Sequence, residues 1–89
     1  MKKALIIKVY GRVQGVSFRY YTQKKAIEHN ICGFSRNKAD GSVYIEAEGE
    51  EIDLEAFSDW CNKGPQWARV IRVEKQNYPP VGYSNFIIK

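Results

Sequence analysis

Between positions 11 and 19 the chain reads Gly-Arg-Val-Gln-Gly-Val-Ser-Phe-Arg. Two glycines in a turn between a strand and a helix let the backbone bend tightly and bring several N–H groups round to one point. A helix that starts there adds its unpaired N–H groups and the positive end of its dipole. Together they make a cradle for an anion. Arg19 stands at the end of the loop, where its planar fork can grip a phosphate on two oxygens. The chemistry this points to is phosphate binding. A lone G-x-x-x-G is also the pattern of an ordinary turn beside a solvated arginine, so the rest of the chain has to decide.

The elements that must position this loop follow from periodicity. Ala4–Tyr10 mixes β-branched and aromatic residues and predicts a strand. From Phe18 to His29 the period lengthens. Phe18, Tyr21 or Thr22, Ala26 and His29 recur at three-to-four spacing, with Lys24, Lys25 and Glu28 turned outward, which predicts a helix. Asn30 is a left-handed terminator for it. Cys32–Asn37 predicts a second strand, and Asp40-Gly41 is a hairpin signal. A third strand is expected over Ser42–Glu48, with Val43, Ile45 and Ala47 on one face, Tyr44, Glu46 and Glu48 on the other, and Gly49 as its end. Ile52–Asn62 predicts a second helix with Leu54, Phe57 and Cys61 on one stripe, Trp60 beside it, and acids in the first turn. Lys63-Gly64-Pro65 stops it. Ala68–Gln76 predicts a fourth strand that Pro79-Pro80 breaks, and Tyr83–Lys89 a short final one. The order β-α-β-β-α-β plus a terminal strand predicts an α+β, ferredoxin-like βαββαβ sandwich, an antiparallel sheet with two helices on one face. That architecture hosts many functions and names none of them.

Length and composition narrow the classes. A chain of 89 residues is expected to form one domain over positions 1–89 with little stability to spare. Its 44% hydrophobic and 13% aromatic content belongs to a folded protein. No secretory leader and no span of about 20 apolar residues is found, so a cytoplasmic protein without a membrane partner is expected. Cys32 and Cys61 form no C-x-x-C and the sole histidine is His29, so no metal and no cofactor is expected, only two reduced thiols. The formal net charge is +4 and is unevenly spread. Residues 1–25 carry seven cations (Lys2, Lys3, Lys8, Arg12, Arg19, Lys24, Lys25) and no acid, whereas residues 46–59 carry seven acids and no cation. The basic half holds the cradle, and its field draws anions toward the loop. It also suits nucleic acid, so charge alone does not choose between the two.

The motifs choose. The chain resembles the acylphosphatase family nearly end to end. The resemblance is carried by G-R-V-Q-G-V-S-F-R at 11–19, G-F-S-R-N at 33–37 and D-G-S-V at 40–43. It continues through F-S-D-W at 57–60, G-P-Q-W-A-R-V at 64–70 and Y-S-N-F at 83–86. It implies hydrolysis of the carboxyl–phosphate bond of small acyl phosphates, without a metal, by direct attack of water. By resemblance Arg19 is the phosphate-binding arginine, Asn37 orients the water, and the loop Gln14, Gly15, Val16, Ser17, Phe18 and Arg19 holds the phosphate. Inorganic phosphate is then the product and a competitive ligand, nucleic acid is no partner, and a monomer is expected.

The chemistry of the reaction agrees with this division of labour. A carboxylate leaves readily, so little general acid is needed. Phosphoryl transfer spreads charge over equatorial oxygens, which positioning and hydrogen-bond donors stabilise. Ser17 has no base beside it in sequence and is not read as a nucleophile. Arg12 is read as structural or generally electrostatic, and His29 as a half-buried or exposed helix residue. Tyr10, Tyr20, Tyr21, Phe34, Trp60 and Trp67 are read as core or rim. One departure from the family pattern stands out: Phe34-Ser35 occupies the place where Trp-Val is common, so packing near the site is expected to differ. The rival readings are an RNA- or anion-binding ferredoxin-like module and an accessory domain for carbamoyl phosphate acting in trans. The aromatic pattern of RNA-recognition strands is missing.

Overall fold

A computed structural model describes residues 1–89. The strands are β1 (Lys2–Arg12), β2 (Cys32–Asn37), β3 (Val43–Glu50), β4 (Arg69–Tyr78) and β5 (Phe86–Ile88), and the helices are α1 (Phe18–Glu28) and α2 (Glu51–Lys63). They form one five-stranded sheet in the order β4-β1-β3-β2-β5. The first four strands pair antiparallel, as expected, while β5 adds to β2 in parallel with Gly33 beside Phe86 and Ser35 beside Ile88. The sheet is therefore mixed rather than wholly antiparallel. Two strands that must run the same way need a long connection between them, and the return through α2 and β4 supplies it.

Alternation sets the two faces of the sheet. Ile7 and Val9 of β1 and Val43, Ile45 and Ala47 of β3 are fully buried beneath the helices. They meet Phe18 and Ala26 of α1, Leu54, Phe57 and Cys61 of α2, and Phe86 of β5 in one core. α1 covers β2 and β5, and α2 covers β1, β3 and β4. Phe18, Thr22 and Ala26 recur four apart and make the buried stripe of α1, with the Thr22 hydroxyl donating to the Phe18 carbonyl at 2.7 Å. Asn30 has φ 57°, the left-handed end expected for that helix.

β1 and β4 run one or two residues beyond or short of their expected ends, and two further boundaries differ for a reason of packing or path. β3 does not stop at Gly49. It runs on to Glu50, with Gly49 opposite Lys3 of β1. The missing side chain makes room for Ile31, whose Cδ1 would lie 2.6 Å from a Cβ at that position, so this glycine answers to packing and not to a turn. The last strand covers Phe86–Ile88 and not Tyr83–Lys89. Residues 79–85 instead leave β4 at one edge and reach β5 at the other, passing across the sheet on the side away from the helices.

Candidate active site

The loop begins where β1 changes register. Opposite β4, the pairing shifts between Tyr10 and Gly11. Gly11 has φ 128°, and a Cβ there would meet the Arg69 carbonyl oxygen at 2.1 Å. No other residue fits this bulge. Gly15, at φ 74°, makes the second bend in open space. The two glycines do the bending that the sequence assigned to them.

The chain then enters α1 through Ser17, at φ 60° and ψ 26°. A non-glycine residue in the left-handed region is uncommon. Here it turns the backbone abruptly into the helix, and the Ser17 carbonyl accepts the Tyr21 N–H at 3.1 Å. No side chain caps the helix start. Its leading N–H groups are thus uncapped by any side chain, an arrangement able to bind an anion.

Gly15, Ser17, Arg19 and Asn37 line one recess of about 320 Å³, with Val13, Phe18, Tyr20 and Ile88 as its apolar wall. Arg19 from α1 and Asn37 from the end of β2, eighteen positions apart in the chain, come together there. Gln14 and Val16 do not line it. The Gln14 amide turns away, and its Nε2 donates to the carbonyls of Lys38 at 2.8 Å and Ser42 at 2.9 Å. It therefore ties the loop to the β2–β3 hairpin, next to Asn37. Val16 packs against the core.

The hairpin is itself locked. The Asp40 carboxylate accepts the Ser42 hydroxyl at 2.6 Å and the Ser42 N–H at 3.0 Å. These bonds hold its carboxyl below the usual carboxylate range. The Asp40-Gly41 signal thus has a consequence for the site, since the hairpin fixes the carbonyls that Gln14 grips.

One partner of Arg19 had no signal in the sequence. Its Nη1 donates to the main-chain oxygen of Lys89 at 2.8 Å. A backbone carbonyl looks the same at every residue, so no residue type marks it. β5 brings it into place, held by the Lys89 N–H on the Ser35 carbonyl at 2.8 Å and by Gln23 Nε2 on the Phe86 carbonyl at 2.9 Å.

The remaining candidates fall outside the recess. His29 is half-buried at the end of α1, and Ser17 Oγ has no base beside it among its hydrogen bonds. Cys61 is buried and its thiol is pushed up to about 12 by desolvation, which keeps it inert. Cys32 is half-buried and free. Phe34 is 6% exposed, with Tyr83 edge-on at 5.9 Å and Tyr44 tilted at 5.9 Å, so it does not offer a free stacking face. Trp67 is 70% exposed and belongs to the surface, not the core or rim.

Two of the acids that crowd residues 46–59 are paired at the end of β1 opposite the loop. Glu50 pairs with the Met1 amino group at 3.5 Å and Glu51 with Lys3 Nζ at 2.5 Å, at the opposite end of β1. No acid lines the recess, and Arg19 is its one charged side chain.

Comparison with known proteins bears on what this recess does. The acylphosphatase family profile matches residues 5–88. An acylphosphatase of Mannheimia succiniciproducens is 51% identical over 78 residues, covering 88% of this chain and 84% of that protein. The solved acylphosphatase of Coxiella burnetii superposes with a TM-score of 0.95 at 32% identity, covering 99% of this chain and 93% of the other. That of Bacillus subtilis superposes at 0.93 with 36% identity, covering 100% and 99%.

Proposed function

This chain belongs to the acylphosphatase family and hydrolyses small acyl phosphates, and we propose that the recess at the start of α1 is where it does so. The backbone N–H groups from Gln14 to Phe18 and the Arg19 guanidinium hold the three equatorial oxygens of the phosphoryl group. The Asn37 amide holds a water in line with the bond to be broken. The water oxygen bonds to phosphorus, and the phosphorus–oxygen bond to the acyl group breaks with its electron pair on the departing carboxylate. The water proton passes to a phosphate oxygen. The products are a carboxylate and inorganic phosphate, and no metal or cofactor takes part.

The division of labour follows from the leaving group. A carboxylate departs without help from an acid, so the protein's task is to place the reactants and to meet the charge on the phosphoryl oxygens. Fixed N–H dipoles at an uncapped helix start do this without reorganising. An amide suits the water because its oxygen can accept a hydrogen bond from the water, or its NH2 donate one to the water oxygen, while the group stays neutral.

The observation that carries this reading is the meeting of Arg19 and Asn37 in one recess beside unpaired helix N–H groups. Inorganic phosphate, as product, competes for the same cradle. The protein works as a single domain over residues 1–89, a cytoplasmic monomer without nucleic acid.

Benzoyl phosphate hydrolysis in EDTA, with Arg19→Ala as control, tests it. Turnover in EDTA that falls on the order of 100-fold or more in the folded variant is the expected result. Turnover that needs an added divalent cation, or survives loss of Arg19, overturns the mechanism.

A further inference from the structure

Glu48 is 1% exposed, on the face of β3 away from the helices, with no Lys or Arg bonded to it. A buried carboxylate is costly unless its oxygens are satisfied. They are satisfied by backbone. The N–H groups of Val81, Gly82 and Tyr83 all donate to it, those of Gly82 at 3.0 Å and Tyr83 at 3.2 Å. Three successive N–H groups converging on one anion form a nest, and here the anion is the chain's own side chain. One position along the same face, Glu46 accepts the hydroxyl of Tyr83 at 2.7 Å. The two acids therefore clamp residues 81–83 to the middle of the sheet.

That segment leads directly into β5. The strand has three residues, of which only Phe86 is buried, so few contacts of its own fix its register against β2. A slip of one residue would carry every carbonyl along by about 3.3 Å. The Lys89 oxygen, now 2.8 Å from Arg19 Nη1, would pass out of hydrogen-bonding reach. Against the slip stand the burial of Phe86 in the core, the bonds from Gln23 to Phe86 and between β5 and β2, and the fixed length of chain between the clamp and the strand.

We propose that Glu48 is a positioning residue for Arg19: by holding residues 81–83 it sets the register of β5, and so places the Lys89 carbonyl that orients the guanidinium toward the phosphate. This rests on the reading of Arg19 as the phosphate ligand. A carboxylate suits the task because it only accepts. In Glu48→Gln the amide nitrogen would face N–H donors and one side of the nest would lose its acceptor.

The test is a pair of phosphate titrations followed by NMR, Glu48→Gln against wild type and Glu48→Gln,Arg19→Ala against Arg19→Ala, with melting curves for all four proteins. The expected result is about tenfold weaker binding of inorganic phosphate in the first pair, with the same loss in KM for benzoyl phosphate, and no further loss in the second pair. A role confined to stability would lower both melting temperatures and leave the affinities alone. Affinity within twofold of wild type in folded Glu48→Gln overturns the inference, and so does an equal loss in both pairs.

Should Glu48→Gln not fold, wild-type protein carries the test. The amide signals of Val81, Gly82 and Tyr83 are then expected to move with the same phosphate dependence as that of Arg19, and signals that stay still overturn the coupling. If instead Arg19→Ala, with Glu48 intact, binds phosphate as tightly as wild type, the assignment of Arg19 itself falls, and the inference falls with it for that separate reason.

Discussion

Arg19 and Lys89, seventy positions apart, are joined by a hydrogen bond from the guanidinium Nη1 to the main-chain oxygen at 2.8 Å. Because Lys89 also donates its N–H to the Ser35 carbonyl, the bond ties the Arg19 side chain to the strand that carries Asn37. The two halves of the site thus share one anchor. Ending the chain at Ile88 removes that anchor and leaves every loop residue in place. We expect KM for benzoyl phosphate to rise roughly fivefold, the loss of one modest hydrogen bond of ~1 kcal/mol. An unchanged KM in steady-state assays would mean that Arg19 holds its place without Lys89.

Arg19→Ala removes the only guanidinium in the recess. Turnover is expected to drop on the order of 100- to 1,000-fold, the effect of losing one donor to developing charge. Arg19→Lys is expected to recover little of it, because an ammonium lacks the planar fork that grips two oxygens. Full recovery in Arg19→Lys, measured as kcat/KM, would reduce the role of Arg19 to that of a point charge.

Under the proposed mechanism, Asn37→Ala leaves the loop whole and takes away the group that aligns the water. Its kcat is expected to fall on the order of 100-fold with KM within a few-fold of wild type. Asn37 is exposed at the end of β2, so the melting temperature is expected to stay put. A normal kcat in the folded variant would remove the water-orienting role.

Ser35 is fully buried and its hydroxyl has no partner. An unsatisfied buried hydroxyl costs about 1–3 kcal/mol. Ser35→Ala deletes it without adding volume, and is expected to stabilise the fold by ~1 kcal/mol, seen as a higher denaturant midpoint at unchanged slope. A lower midpoint would show that the hydroxyl is bonded in solution, through a buried water for example.

The open face of the sheet sets a pH window. Desolvation pushes the Glu46 carboxyl up, but the hydroxyls of Tyr83, Tyr44 and Tyr78, with Lys89 nearby, outweigh it and leave the group below its ordinary value. That part of the stability is complete above the ordinary carboxylate value of 4.5 and is lost as pH falls through the lowered one. The phenols mirror it. Tyr44 is raised to about 12, first by burial and then by its bond to Glu46, and Tyr83 to about 12, first by that bond and then by burial. Folding favours the neutral phenols, so their contribution is complete below 10.0 and is lost as pH rises from there toward about 12. In Glu46→Gln, NMR titration of the tyrosine rings is expected to show Tyr83 falling furthest back toward 10.0, since the carboxylate is its leading cause, with Tyr44 falling less. Equal falls would mean that the hydrogen bond and burial carry the same weight at both rings.

Residue type and spacing alone marked the elements and a loop able to cradle an anion, and the resemblance to a known family added the roles proposed for Arg19 and Asn37. Gly11 and Gly15 mark bends, the period change at Phe18 marks a helix start, and Asp40-Gly41 marks a hairpin. Each of these signals is local, because backbone freedom and side-chain periodicity act over a few residues. Arg19 was legible for the same reason, at the end of the glycine loop, whereas Asn37 was singled out only by the family motif at 33–37.

Tertiary structure decided what local signals do not carry. It placed Arg19 and Asn37 in one recess, turned the Gln14 side chain away to hold the hairpin, and kept Gly49 inside β3 to make room for Ile31. It laid β5 parallel to β2 and set a main-chain oxygen of Lys89 against the guanidinium. Each of these depends on partners distant in sequence, and two of them act through backbone atoms or a missing Cβ, which no residue type announces in advance.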